Sequence, residues 1–182
     1  IPLAATGSLP REPKPGRTRR MKSLAVTDAL GRTVRVNATP QRVVSLVPSQ
    51  TELLFDLGLD TQVVGITKFC VHPAHWRREK VVVGGTKTAD AAAIIDLAPD
   101  LVLVNKEENT RETVEALATV APVYVTDVHD LPGALEMIRD VGQLVGRVEA
   151  AASLSAEIDA LFAALPAYAP ARVAYLIWRG PY

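Results

Sequence analysis

A single cysteine, Cys70, occurs in the 182 residues, so neither an internal disulfide nor a cysteine-rich zinc site can form, and cysteine usage leaves the redox compartment open. Net charge is missing too. Twenty Lys and Arg offset twenty Asp and Glu, which removes the positive field that an electrostatic nucleic-acid binder carries. Charged or polar residues interrupt every apolar run before it nears the roughly 20 residues that cross a bilayer, so no membrane-spanning helix is expected. The chain holds no phosphate loop, no G-x-G-x-x-G, no nucleophile elbow and no H-E-x-x-H. What it does hold is core: 48% of residues are apolar and 22% charged, the composition of a folded domain rather than a disordered chain. Its length allows one ordinary domain, or one with an appendage.

Residues 1–23 carry Pro2, Pro10, Pro13 and Pro15 among Arg11, Lys14, Arg17, Arg19 and Arg20, without helix or strand periodicity, and are expected to be a disordered basic arm. Its charges come last rather than first, so no export signal is visible in it, and Met21 is a candidate natural start. The arm has no aromatics, which weighs against nucleic-acid binding.

Patterned sequence begins at Leu24. The runs Leu24–Asp28 and Thr33–Val36, joined through Leu30-Gly31-Arg32, predict a hairpin. Arg42–Leu46 is a β-branched strand, and Ser49 to Gly58 a helix whose Ser49 and Glu52 have capping-box spacing and whose Gly58 suits a left-handed end. The alternation continues: strand Val63–Ile66, strand Val81–Val83, helix Asp90–Leu97, strand Leu101–Val104, helix Asn109–Thr119, strand Val123–Thr126. Such alternation predicts parallel pairing with right-handed crossovers, hence an α/β lobe over 24–130.

From 131 to 166 the pattern is helical. Leu131, Leu135, Ile138, Val141, Leu144 and Val145 form one stripe, which Gly146 breaks. A second helix starts near Val148 with Leu154, Ile158, Leu161 and Leu165 on one face, spanning roughly 25–28 Å, the length of a spine rather than a crossover. Arg172–Ile177 then reads as a strand. A lone strand cannot bury itself, so residues 167–182 are expected to open a second, truncated lobe.

Two groups of residues carry candidate chemistry. In the segment Thr67–Trp76, Cys70, His72 and His75 are possible ligands for zinc, iron or cobalt, or a thiol with a nearby base. The other group follows from topology, since ligands of α/β sheets bind outside the carboxyl ends of the strands. Those ends are Pro48-Ser49-Gln50, Thr67–Cys70, Gly84-Gly85-Thr86-Lys87 and Asn105-Lys106-Glu107-Glu108. Free amides at Ser49 and the glycines, with Lys87 and Lys106, can receive an anionic or carbonyl group.

The segment Arg42–Glu52 (RVVSLVPSQTE), then Val63-Val64-Gly65-Ile66, Gly84-Gly85-Thr86 and Pro99-Asp100-Leu101-Val102, and finally the long helix, resemble class III substrate-binding proteins of ABC importers. These are the cobalamin and ferric-siderophore receptors with a helical backbone. The resemblance runs from about Leu24 to Tyr182. It implies two α/β lobes joined by one long helix, a transported corrinoid or iron-siderophore chelate in the cleft between them, no cofactor of the protein's own and no covalent chemistry. It also implies a permease partner and a periplasmic or extracellular, membrane-associated location. Matched residue by residue, the resemblance implies ligand-lining positions Pro48, Ser49, Gln50, Phe69, Gly85, Thr86, Asn105 and Lys106; Lys87, from the strand-end reading, and Trp178 are expected to join them. Thr86 and Asn105 stand where the cobalamin binders carry tryptophan, which favours a more hydrophilic chelate. Arg111 falls where the family has its permease-docking glutamate, leaving Glu108 and Glu112 as docking candidates. The alternatives are a thiol- or metal-dependent enzyme built on Cys70, His72 and His75, and a scaffold lobe that binds only protein.

Overall fold

The computed structural model describes residues 23–36, 38–167 and 171–174. Strands β1 (Leu24–Thr27) and β2 (Thr33–Val36) pair antiparallel, with Leu24 opposite Val36 and Thr27 opposite Thr33. The Asp28 carboxylate closes their turn: it accepts the Leu30 and Arg32 amides at 3.0 and 2.9 Å and the Arg32 guanidinium at 2.9 and 2.6 Å.

Five parallel strands form the main sheet. They are β3 (Val43–Ser45), β4 (Val63–Ile66), β5 (Val81–Val82), β6 (Leu101–Asn105) and β7 (Val123–Thr126), in the order β5-β4-β3-β6-β7. Both faces are covered, as a parallel sheet requires. Val43, Leu101 and Leu103 point into one apolar layer with Leu54, Val141 and Leu144; Val44, Val102 and Val104 point into the other with Ile94, Val114 and Leu117. The first layer belongs to helices α1 (Pro48–Asp56) and α5 (Leu131–Leu144), the second to α3 (Ala91–Asp96) and α4 (Arg111–Ala118). The α/β class read from the alternation is therefore the observed one.

The structure departs from the local sequence pattern in four places. The capping box does not form: α1 starts at Pro48 after Val47, with no side-chain cap, so Ser49 lies inside the first turn. Proline at the first helical position has no amide to satisfy and a preset φ, which moves the start ahead of the serine. A four-residue helix, α2 (Trp76–Glu79), appears where no periodicity marked one. The third concerns α6 (Val148–Ala163), which follows the break at Gly146 but doubles back along α5. Ala151 packs where Gly142 has no side chain, and the Ser155 hydroxyl donates to the Leu135 carbonyl at 3.4 Å. Leu154 and Ile158 reach the core, whereas Leu161 and Leu165 of the same stripe are exposed. Arg172–Ala174, the described part of the last predicted strand, is not strand, because nothing among the described residues pairs with it. Its remainder, Trp178 and residues 1–22 lie outside the described residues.

Candidate functional site at the carboxyl strand ends

Because all five strands are parallel, their carboxyl ends emerge on one edge, and the order places β3 and β6 side by side with their crossovers leaving in opposite directions. This is the switch point at which α/β sheets bind ligands. Five loops form the rim. After β3 come Pro48, Ser49 and Gln50; after β4, Lys68 and Phe69; after β5, Gly85, Thr86 and Lys87; after β6, Asn105 and Lys106; after β7, Asp127, Val128 and His129.

Hydrogen bonds lace these loops together. The Asn109 carboxamide accepts the Asn105 amide at 2.8 Å and donates to the Thr86 carbonyl at 2.9 Å, tying the β5 and β6 loops. The Asn105 side chain is spent locally: its oxygen accepts the Glu107 and Glu108 amides at 2.9 and 3.2 Å, and its nitrogen donates to the Thr126 hydroxyl at 3.3 Å. Thr126 gives its one proton to the Val104 carbonyl at 3.1 Å, so it must accept from Asn105 and also from Gln50, at 2.5 Å. That orients the Gln50 amide and leaves its oxygen buried without a protein donor among the described residues. On the other side of the rim, Lys68 donates its amide to Gly84 at 2.8 Å, and its ammonium lies 5.2 Å from the centre of the Phe69 ring.

Charge on the rim is mostly compensated. Lys106 pairs with Asp127 at 2.6 Å, and the other oxygen of Asp127 lies 3.0 Å from His129. The hydrogen bond from Lys106 holds the Asp127 carboxyl below its ordinary value, and the same bond raises the Lys106 ammonium. Glu108 is raised, first by partial burial and then by repulsion from Glu107, with Lys87 opposing. Beside the rim, between the β1–β2 turn and α4, lies a cavity of about 450 Å³ lined by Leu30, Arg32, Lys106, Asn109, Arg111 and Val125 among others. Its cations are already paired, Arg32 with Asp28 and Arg111 with Glu115.

The sequence-derived ligand positions divide into three groups. Ser49, Phe69, Lys87 and Lys106 are exposed on the rim, Phe69 to 52%. Pro48, Thr86 and Asn105 are half-buried, and Gln50 and Gly85 lie behind them. A side chain at Gly85 would press on Thr88, Lys68 and the Phe69 ring, so the bare glycine is what lets Phe69 lie over this loop. Of the docking candidates, Glu112 is exposed in the first turn of α4 and Glu108 is half-buried. The sequence reading missed Asn109, Thr126, Asp127 and His129. The strand-end rule applied to the final strand would have pointed to the last three.

The Cys70, His72, His75 grouping is not assembled. Cys70 is buried, its sulfur 3.1 Å from the Thr51 hydroxyl and 3.3 Å from that of Thr67, so it packs as a small core residue. His72 is exposed, and His75 faces Asp60 at 3.7 Å. Only Cys70 and Trp76 of residues 68–76 turn into the core; His72 is exposed and His75 half-buried, so the thiol and the imidazoles face different surroundings.

The model of the family described as periplasmic binding protein matches residues 43–175. The cobalamin-binding protein of Halobacterium salinarum is 31% identical over 140 residues, 76% of this chain and 38% of that protein. An uncharacterized ABC transporter substrate-binding lipoprotein of Bacillus subtilis is 29% identical over 125 residues, 68% of this chain and 38% of its own length. Among solved structures, the petrobactin-binding protein of Bacillus subtilis superposes with a TM-score of 0.68 at 22% identity, covering 78% of this chain and 52% of that one. The periplasmic vitamin B12 binding protein of Vibrio cholerae gives a TM-score of 0.62 at 20% identity, with 69% and 49% covered. The chain thus spans 38% of the length of both curated relatives named here.

Proposed function

Since the chain belongs to the periplasmic binding protein family, we propose that it supplies the ligand-binding α/β lobe of a solute-binding protein that delivers a metal chelate to an ABC importer. The chelate is of corrinoid or iron-siderophore type and lies on the rim formed by Pro48, Ser49, Gln50, Phe69, Gly85, Thr86, Lys87, Asn105 and Lys106, with Trp178 contributing from beyond the described residues. The observation that carries this reading is the rim itself: five parallel strand ends on one edge, at a switch point, with the Phe69 ring exposed on it. Names of relatives add support, being a cobalamin-binding protein, a vitamin B12 binding protein and a petrobactin-binding protein.

In this proposal residues 24–130 are the lobe, 131–166 the helical segment that includes the backbone helix, and 167–182 the start of a second lobe. The exposed half of α6 supports that division, because Leu161, Phe162 and Leu165 form an apolar face that the lobe itself does not cover. Glu112, with Glu108 behind it, meets the permease on the proposed docking face. The site of action is outside the cytoplasmic membrane; among the described residues no helix is long and apolar enough to cross one.

Phe69 provides the test. Its ring is the one aromatic of the proposed contacts among the described residues and makes no core contact, so Phe69→Ala should leave thermal stability unchanged while removing a flat apolar surface worth about 0.5–1.5 kcal/mol beyond its area. We expect affinity for the chelate bound best by the parent chain, found by calorimetric titration with cyanocobalamin, a ferric hydroxamate and a ferric catecholate, to fall about tenfold. Unchanged affinity would remove Phe69 from the site.

A further inference from the structure

At the opposite edge of the sheet from the rim, where chain enters β4 and β5, three metal-ligating side chains converge that the binding of a chelate does not use. Asp60 stands in the turn before β4; His75 and Glu79 flank the one turn of α2 before β5. One donor atom from each of the three lies within 4.8 Å of the other two. We propose that Asp60, His75 and Glu79 bind a divalent first-row transition ion, of which zinc is the natural probe, and thereby clamp α2 to the turn that follows α1.

The donor chemistry is one imidazole and two carboxylates, a borderline set that suits zinc, nickel or copper better than calcium or magnesium, which prefer all-oxygen shells. His75 and Glu79 are four residues apart, so a helical turn puts them on one face. Each donor is positioned by something else. The Trp76 indole N–H donates to Asp60 Oδ1, the oxygen that also faces His75, and so fixes the carboxylate beside the imidazole. The His75 ring is held edge-on by Phe55, centroids 5.8 Å apart, and by Trp76, at 6.5 Å. Such outer contacts orient ligands in known sites. His75 and Asp60 are 3.7 Å apart, too far for a hydrogen bond that the ion would have to break. All three are reachable from solvent. The group that opposes a cation is the Lys80 ammonium, which donates to the Asp60 carbonyl and lies 5.2 Å from the Trp76 ring centre.

A second convergent set, Glu107, Asp127 and His129, is less suitable. Both Asp127 oxygens there are engaged, by Lys106 at 2.6 Å and His129 at 3.0 Å, so an ion would have to displace an ammonium.

The experiment is a zinc chloride titration of the 182-residue chain after chelator treatment, followed by calorimetry and by thermal unfolding, with parent, His75→Ala, Glu79→Gln and His129→Ala compared. We expect one zinc per chain in the parent and in His129→Ala, and a rise in Tm of roughly 5–10 °C at a hundredfold excess over Kd, since the ion binds the folded chain alone. His75→Ala should lose this binding and Glu79→Gln should weaken it at least tenfold. Glu79 is exposed, so the glutamine variant carries the test if His75→Ala does not fold. No saturable zinc binding by the parent, binding unaltered in the variants at His75 and Glu79, or binding abolished by His129→Ala would each overturn the assignment. None of these outcomes bears on chelate binding at the rim.

Discussion

Trp76→Ala will destabilise the lobe by about 3–5 kcal/mol, the range for deleting a fully buried large aromatic. Trp76 has no exposed surface, and its indole meets Phe55 edge-on at 5.7 Å between centroids. It also donates to Asp60. The helix that carries it is four residues long, far below the length at which a helix holds itself together in water. The indole is therefore the anchor of α2 rather than one core contact among many, and its removal leaves both a cavity and an unpaired Asp60. The loss should appear in chemical denaturation as a lower midpoint with an unchanged slope, the mark of altered stability rather than an altered unfolded state. A loss below about 1 kcal/mol would mean that α2 is held by something other than the indole.

Gly84→Val should act on stability and binding together. Gly84 has φ +100°, a conformation that costs a β-branched residue dearly, and a Cβ there would collide with the Thr88 carbonyl. The residue also opens the third rim loop: its carbonyl accepts the Lys68 amide, it bridges to Ala89, and Gly85 beside it donates to Thr88 at 3.3 Å. Relieving the clash must move the loop away from Phe69 and Thr86. We expect a loss of about 2–3 kcal/mol in unfolding free energy and chelate binding too weak to measure by calorimetry. A variant within about 0.5 kcal/mol of the parent, binding normally, would show that this loop tolerates another path.

How much of this was legible beforehand depended on whether the signal was local. Strands such as Leu101–Val104 and Val123–Thr126 are short apolar runs between turn residues, and burial on both faces leaves no other pattern for them to show. Gly58 marked its helix end because φ +74° there suits glycine. Starts were harder: Ser49 and Glu52 had the right spacing, but Pro48 preceded them and claimed the first helical position. The segment Trp76–Glu79 holds one apolar residue among three charged ones, so nothing periodic announced a helix. Its single tryptophan was the only sign.

At the rim, position along the chain identified loops but not the bonds between them. Asn109 read as the start of a helix, whereas its carboxamide joins two loops whose residues lie 23 positions apart. Thr126 looked like the end of a strand and is the acceptor on which Gln50 and Asn105 meet. Such links depend on the strand order β5-β4-β3-β6-β7, which composition does not encode. The grouping of Cys70, His72 and His75 failed for the converse reason, since nearness in sequence said nothing about which side chain turns inward. The stripe on α6 was correct as a pattern and silent about its partner. Leu154 and Ile158 found the core, and Leu161 and Leu165 did not.

The central claim is that a metal chelate lies across the carboxyl ends of the parallel strands. Backbone amide chemical shifts, recorded on the isotope-labelled chain during titration with cyanocobalamin and with a catecholate and a hydroxamate chelate that each carry diamagnetic gallium in place of iron, test it directly and remain informative at weak affinity. The account predicts that at least one of these chelates shifts the amides of Ser49, Gln50, Phe69, Gly85, Thr86, Asn105 and Lys106 in a saturable manner, leaving Asp60, Glu79 and the α5–α6 pair unmoved. Shifts confined to that far edge or to the helical pair, or no saturable shift with any of the chelates, would contradict it.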